Sequence, residues 1–212
     1  MTELVRYEAG GQVATVTLDS PHNRNALSAQ LVTELSARLD EADADEGVRA
    51  VVLTHTGRVF CSGADLAAAS TGSLGDSGTT IMALLKLIVE LPKPVIARIA
   101  GHVRAGGMGI VGACDLAVAA DGASFAFTEA RIGVTPAMIS LTTLDIMDPR
   151  QAARYYLTGE TFGASTAARR QRLDAQGPEM AALSARLFAS EEAQEGIRAF
   201  LEKRPPAWRT YG

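Results

Sequence analysis

Apolar side chains recur along the chain with two distinct periods. From Val13 to Leu18 β-branched and small residues alternate and then meet Asp19-Ser20-Pro21, which predicts a strand ending in a turn. Ala50–Thr54 and Val95–Ala100 are short, β-branched and bounded by glycine or proline, and Leu116–Ala119 and Phe125–Phe127 are two further candidate strands. Between Ser28 and about Ala44 the period changes: Leu31, Leu35 and Leu39 fall at every fourth position, the opposite face is acidic, and Ser28 is a good N-cap. That segment is predicted helical. Ile81–Leu91 is predicted as a second helix stopped by Pro92-Lys93-Pro94, and Met180–Phe188 and Ala193–Glu202 as C-terminal helices. The Gly-, Ser- and Thr-rich stretch Ala69–Thr79 is expected to be a mobile surface loop. Strands alternating with helices to about residue 130, then almost pure helix with no linker, predict an α/β core followed by a helical C-terminal part.

Composition narrows the class. The 212 residues, 47% hydrophobic and 21% charged with 20 Gly and 8 Pro, describe an ordinary globular protein long enough for one well-buried core. The formal charge is -4 and there is no basic block, which argues against a nucleic-acid partner. Cys61 and Cys114 are too few for a disulfide framework, and His22, His55 and His102 show no metal-ligand spacing with them, so a reducing compartment and no metal are expected. The first ten residues carry Glu3, Arg6 and Glu8 where a signal peptide needs an apolar run, and the expectation is a cytoplasmic protein. The most apolar stretch, Met108–Ala120, is interrupted by Asp115 and is too short to span a bilayer.

Two glycine turns carry the candidate chemistry. Gly57–Leu66 follows the AVVLT strand and contains a Ser-Gly-Ala-Asp step expected to open a helix; Gly101–Gly112 follows the VIARIA strand, with Gly106-Gly107 at the expected start of a helix through Ala113. Small residues leave backbone N–H groups uncovered, and at a helix N-terminus those groups are unpaired and bind oxyanions or phosphates. Two such turns facing one point would make an oxyanion hole. Close helix packing accounts for Gly109 and Gly112 but not for the Gly106-Gly107 pair. Gly107-Met-Gly109-Ile-Val-Gly112 also matches the dinucleotide fingerprint with Glu129 downstream, but His102–Ala105 separate it from the strand end and the strand is not the first.

Together these residues resemble the enoyl-CoA hydratase/isomerase (crotonase) family. The resemblance runs from about Val13 to Ala168 and again from Met180 to Trp208. It is carried by Pro21-His-Asn-Arg-Asn-Ala-Leu27, Phe60-Cys-Ser-Gly-Ala-Asp-Leu66, the Gly101–Cys114 segment, Phe125–Pro136 and Ala199-Phe-Leu-Glu-Lys-Arg-Pro205. It implies a spiral of ββα turns over residues 1–140, holding the CoA and oxyanion site, and a helical trimerisation region over 141–212. It further implies an oxyanion hole made by the N–H groups of Ala64 and Gly106, which would hold the thioester carbonyl of an acyl-CoA substrate. Arg24, Ser62, Asp65, Leu66, Gly107 and Pro136 fall where the family contacts CoA or the acyl group. Phe200 and Lys203 match tail residues that reach the nucleotide of a neighbouring subunit in a homotrimer or hexamer. No cofactor is implied, because coenzyme A is part of the substrate.

The family's hydratases commonly use two glutamates. Here the first falls on Gly109 and the second on Glu129, in Phe127-Thr-Glu-Ala-Arg131. One carboxylate alone suits a proton shuttle between carbons, as in family isomerases. The segment from Glu129 to Ser140, however, looks like a bacterial branch of hydratases whose first acid is likewise replaced, which makes hydration of a 2-enoyl-CoA the leading expectation. A delta-isomerase using the same glutamate, or a weakly active acyl-CoA-binding member, is the alternative. Cys61 is expected to pack rather than react, His102 to be a turn or core histidine or to line the acyl pocket, and Trp208 and Tyr211 to sit at a subunit contact. Relatives carry several tens of further residues between the helix containing Ala164–Arg169 and the C-terminal helices; here Arg170 meets Leu173 almost at once.

Overall fold

The structure is a computed structural model and describes residues 2–65, 74–167, 190–204 and 207. The chain divides into two compact units, Met1–Ala167 and Ala168–Gly212. In the first, β1 (Val5–Gly10) and β2 (Val13–Leu18) form an antiparallel hairpin in the register Val5↔Leu18. Three strand pairs follow: β3 (Ala50–His55) with β4 (Val59–Cys61), β5 (Val95–Ile99) with β6 (His102–Arg104), and β7 (Leu116–Ala119) with β8 (Ser124–Ala126). The first member of each pair joins a five-stranded sheet in the order β1-β2-β3-β5-β7. The second joins a four-stranded sheet in the order β4-β6-β8-β9, with β9 at Phe162–Gly163. Each pair thus sends one strand to each sheet, and neighbouring pairs add in parallel.

Burial follows the period-2 pattern: Ala14, Val16 and Leu18 of β2 point into the core while the residues between them stay partly exposed. Ser28 caps the Ala29–Ala44 helix through a bond from Leu31 N–H to its Oγ (3.2 Å), and Leu31, Leu35 and Leu39 are fully buried. At the other end of this helix, Lys93 Nζ donates to the carbonyls of Ala42, Asp43 and Asp45 at 2.7–2.8 Å, a cation at the negative end of the helix dipole. The Pro92-Lys93-Pro94 stop signal is therefore also a clasp between two helices' ends.

The expected boundary between the surface loop and the second helix changes. The second helix runs Leu74–Glu90, so the Leu74–Thr79 part of the expected surface loop is helical. Ile81, Leu84, Leu85 and Ile88 are buried and anchor this helix, and it continues toward its N-terminus despite a Gly- and Thr-rich composition because tertiary packing outweighs propensity. Residues 69–73 of that loop, the expected helix after Ala64 and the Met180–Phe188 helix lie outside the described residues. Strands β1, β4, β6 and β9 give no clear sequence signal: β1 carries Arg6 and Glu8, and the other three have only two or three residues. In the second unit a helix runs Glu191–Leu201, close to the expected Ala193–Glu202. It ends with Lys203 at φ 52° and a bond from Arg204 N–H to Ala199 O (2.9 Å), and Arg204 pairs with Glu195 at 2.6 Å.

The Gly106–Ala113 helix packs on the Ala137–Thr143 helix through its glycines. A Cβ at Gly112 would stand 2.5 Å from Thr142 O and 2.8 Å from Thr143 Cγ2, so backbone would have to move. Gly112→Ala is expected to cost about 2–3 kcal/mol of stability through overpacking, read as a lower urea midpoint at unchanged slope. A loss within ~0.5 kcal/mol, the range of a neutral surface change, would show that the two helices slide apart freely.

Candidate active site

Three parallel strands of the smaller sheet end on one side of it: β4 at Cys61, β6 at Arg104 and β8 at Ala126. Their pairing, Cys61↔Val103 and Arg104↔Ala126, places the segments that follow them in adjacent rows. These segments contain Ala64, Gly106 and Glu129. Ligands of parallel sheets gather beyond the carboxyl ends of the strands.

The first two rows touch. Gly63 has φ +93°, and a Cβ there would lie 2.6 Å from Ala105 Cβ and 3.1 Å from Gly106 N, so only glycine fits. Leu27 N–H donates to Gly63 O (2.8 Å) and Ser62 N–H to Arg24 O (3.1 Å), which fixes the turn from its outer side. Ala105, with φ 47° and ψ -124°, occupies backbone space that an L-residue rarely adopts; its N–H bond to Ala126 O (3.1 Å) holds it there. The result brings Ala64 N to 3.7 Å from where a Gly106 Cβ would be. Among the described residues neither the Ala64 nor the Gly106 N–H has a hydrogen-bond acceptor. Two unpaired donors, one of them opening an eight-residue helix, stand side by side.

Glu129 lies in a short 3-10 helix, Thr128–Ile132, held by Val134 N–H donating to its carbonyl (3.0 Å). Its Oε2 is buried and has no hydrogen-bond partner among the described residues. Burial raises the carboxyl's pKa above the ordinary value, with a bond to its own backbone opposing. The ring of Tyr156 lies 4.2 Å from that of Phe127, and the Tyr156 hydroxyl bonds to Thr143 Oγ1. Burial raises the phenol's pKa as well, the Thr143 bond opposes this, and the charge of Glu129 adds to the rise.

The other expected site residues separate into groups. Arg24, exposed and with φ 52°, and Ser62 share the backbone bond already described, and Asp65 accepts from Asn23 Nδ2 (3.1 Å), so these three line the outer side of the Ala64 turn. Gly107 is a packing position: a Cβ there would meet Cys61 Cβ at 2.8 Å. Pro136 is buried and stands at the N-cap position of the Ala137–Thr143 helix, without a side-chain capping bond. Phe200 and Lys203 lie in the second unit, and Leu66 lies outside the described residues. At Gly109 a Cβ would stand 2.5 Å from Ile139 Cγ2 and 3.3 Å from Leu85 Cδ1, so no acid could be accommodated at that position without repacking. Cys61 is fully buried and its thiol is pushed up to about 12, which leaves it unreactive. His102 is exposed and bonds through Nδ1 to Ser124 Oγ (2.9 Å).

Sequence reasoning passed over Asn25. It is buried with φ 51°; its Oδ1 accepts from Ser20 N–H (2.7 Å) and its Nδ2 donates to Thr56 O (3.2 Å) and Val59 O (2.8 Å). This side chain fixes the bend that presents Arg24. Its signal was asparagine's tolerance of the left-handed region, directly after a Pro-initiated turn.

The family model described as enoyl-CoA hydratase/isomerase matches residues 8–171. The chain belongs to the enoyl-CoA hydratase/isomerase family. A crystal structure of an enoyl-CoA hydratase from Mycobacterium avium is 47% identical, with a TM-score of 0.71 over 98% of this chain and 100% of that one. A Thermus thermophilus protein carrying an enoyl-CoA hydratase name is 32% identical over 92% of this chain and 97% of its own. A mevalonyl-coenzyme A hydratase of Aspergillus fumigatus is 29% identical over 93% and 91%. The Thermus alignment spans 245 positions against 212 residues here, so that relative carries residues with no counterpart in this chain, and the family match ends at 171. The fold is that of the family's solved members, a crotonase-type α/β architecture.

A raised carboxyl pKa in the folded state makes stability fall as pH rises from the ordinary carboxylate value through the folded one, because the buried group must ionise. Glu129→Gln lacks that step. Its stability relative to wild type is therefore expected to climb across the same window in urea titrations at stepped pH, whereas a pH-independent difference would place the carboxylate in water.

Proposed function

We propose that this protein is an enoyl-CoA hydratase that adds water across the 2,3 double bond of an acyl-CoA thioester. The observation that carries the reading is the pair of unpaired N–H groups at Ala64 and Gly106. Such donors suit the oxygen of a thioester that becomes an enolate, where charge grows during reaction and not before. Glu129 supplies the proton chemistry. As carboxylate it takes a proton from water while the water oxygen bonds to the β carbon and the π pair moves to the carbonyl oxygen. The same proton then passes from Glu129 to the α carbon as the carbonyl re-forms. Protons and electron pairs balance without any metal or redox cofactor. Arg24, Ser62 and Asp65 stand where the family resemblance puts CoA.

A second reading, a delta-isomerase moving a double bond with the same glutamate, is favoured by one observation: Ile139 fills the space at Gly109 where the family's other carboxylate would stand. The homotrimer implied by resemblance is supported by edge strand β7, whose Leu116 and Val118 are 61% and 62% exposed, an apolar edge that a second copy would cover.

Purified protein is expected to remove the enone absorbance of crotonyl-CoA, and Glu129→Gln to slow this by about 10³-fold, as for loss of a general acid–base. Conversion of a 3-enoyl-CoA without hydration would establish the isomerase instead, and binding without turnover of either would leave a CoA-ester carrier. Gly63→Ala is expected to lower kcat for crotonyl-CoA by about 10²-fold with little change in the circular dichroism spectrum, since it displaces one donor of the hole.

A further inference from the structure

Gly109 leaves no second carboxylate to hold water, yet a polar pair stands beside Glu129 for which the mechanism so far has no use. Thr143 is buried, and its single hydroxyl proton goes to Ile139 O at 2.6 Å. In its contact with Tyr156, Thr143 Oγ1 must therefore accept, and the tyrosine proton is committed to it. The phenolic oxygen of Tyr156 is left with lone pairs only. It belongs to a ring packed on Phe127, two residues before Glu129, and the Pro149–Thr158 helix that carries it packs against the Thr128–Ile132 turn that carries Glu129. Ionised Glu129 also offers only lone pairs, and its Oε2 is buried without a protein donor.

Two acceptors on packed elements cannot bond each other, but a molecule with two donors joins them. We propose that the phenolic oxygen of Tyr156, locked as an acceptor by Thr143, holds the attacking water together with Glu129 and so replaces the carboxylate for which Gly109 leaves no room. A water giving one proton to each oxygen turns its own lone pairs toward the substrate. The O–H bond to Glu129 breaks as the new C–O bond forms, and the O–H facing Tyr156 survives as the hydroxyl of the 3-hydroxyacyl product. Ile139 and Leu85 set hydrocarbon against Gly109, where a carboxylate would otherwise stand. Thr143 acts through Tyr156 and is a positioning residue.

This inference rests on the hydratase reading, and two reactions separate them. Hydration of crotonyl-CoA needs the placed water; exchange of the α protons of butyryl-CoA in D2O needs the N–H pair and Glu129 but no water at the β carbon. Tyr156→Phe keeps the ring on Phe127. It is expected to lower kcat for hydration by about tenfold or more at unchanged KM while exchange stays within about twofold. Thr143→Val is expected to do the same and Thr143→Ser to restore hydration. Equal loss of both reactions would make Tyr156 a structural residue and overturn the proposal, as would undiminished hydration. A wild type that exchanges but does not hydrate overturns the hydratase reading and this proposal together; a wild type that hydrates beside an intact Tyr156→Phe overturns this proposal alone.

Discussion

The contact between the Gly63-Ala64 turn and the Ala105-Gly106 turn is the constraint on which the rest of this protein depends. A side chain at Gly63 would collide with Ala105 Cβ at 2.6 Å, and without that approach the two backbone donors would not share a space. The approach is fixed from both sides, by Leu27 on Gly63 and by Ala126 on Ala105. Because Ala105 sits at φ 47°, its conformation has to be maintained by the β6–β8 ladder. Sheet pairing and the placement of the two donors are therefore one structure: loosening the smaller sheet loosens the N–H pair.

The same sheet explains why Glu129, the proposed acid–base group, sits where it does. Glu129 follows β8, one strand over from the β6 turn, in a 3-10 helix that tucks one carboxylate oxygen away from solvent. Burial disfavours the ionised form and so works against stability at neutral pH, while it brings the proton affinity closer to the range in which a carboxyl exchanges protons with carbon. The apolar core built by Leu31, Leu35, Leu39, Leu84, Leu85 and Ile88 offsets that cost.

Glycines in the Gly106–Ala113 helix serve two ends. Gly106 bares a donor, whereas Gly107, Gly109 and Gly112 let the helix lie against Cys61, Ile139 and Thr142. The departure from a two-glutamate site is matched by packing: the Ala137–Thr143 helix sets Ile139 against Gly109, and the same helix carries Thr143 to Tyr156. One helix thus fills the space beside Gly109 and supplies one hydroxyl of the Thr143–Tyr156 pair.

Much of this was legible in the residues. The Leu31-Leu35-Leu39 stripe, the Ser28 cap, the alternation in Val13–Leu18 and the uncovered glycines after two strands are local signals, and local physics suffices to read them. The family resemblance placed Ala64, Gly106 and Glu129 on one site, and strand pairing puts their segments in adjacent rows. What the sequence could not carry was anything decided by a partner distant in the chain. Three-residue strands such as β4 and β6 exist only because a neighbour hydrogen-bonds them, and Leu74–Thr79 is helical because the buried stripe beyond it anchors the whole helix. Tyr156 looked like any helical tyrosine. Its role as an acceptor follows from where Thr143 spends its one proton, and only the tertiary fold brings those two hydroxyls together.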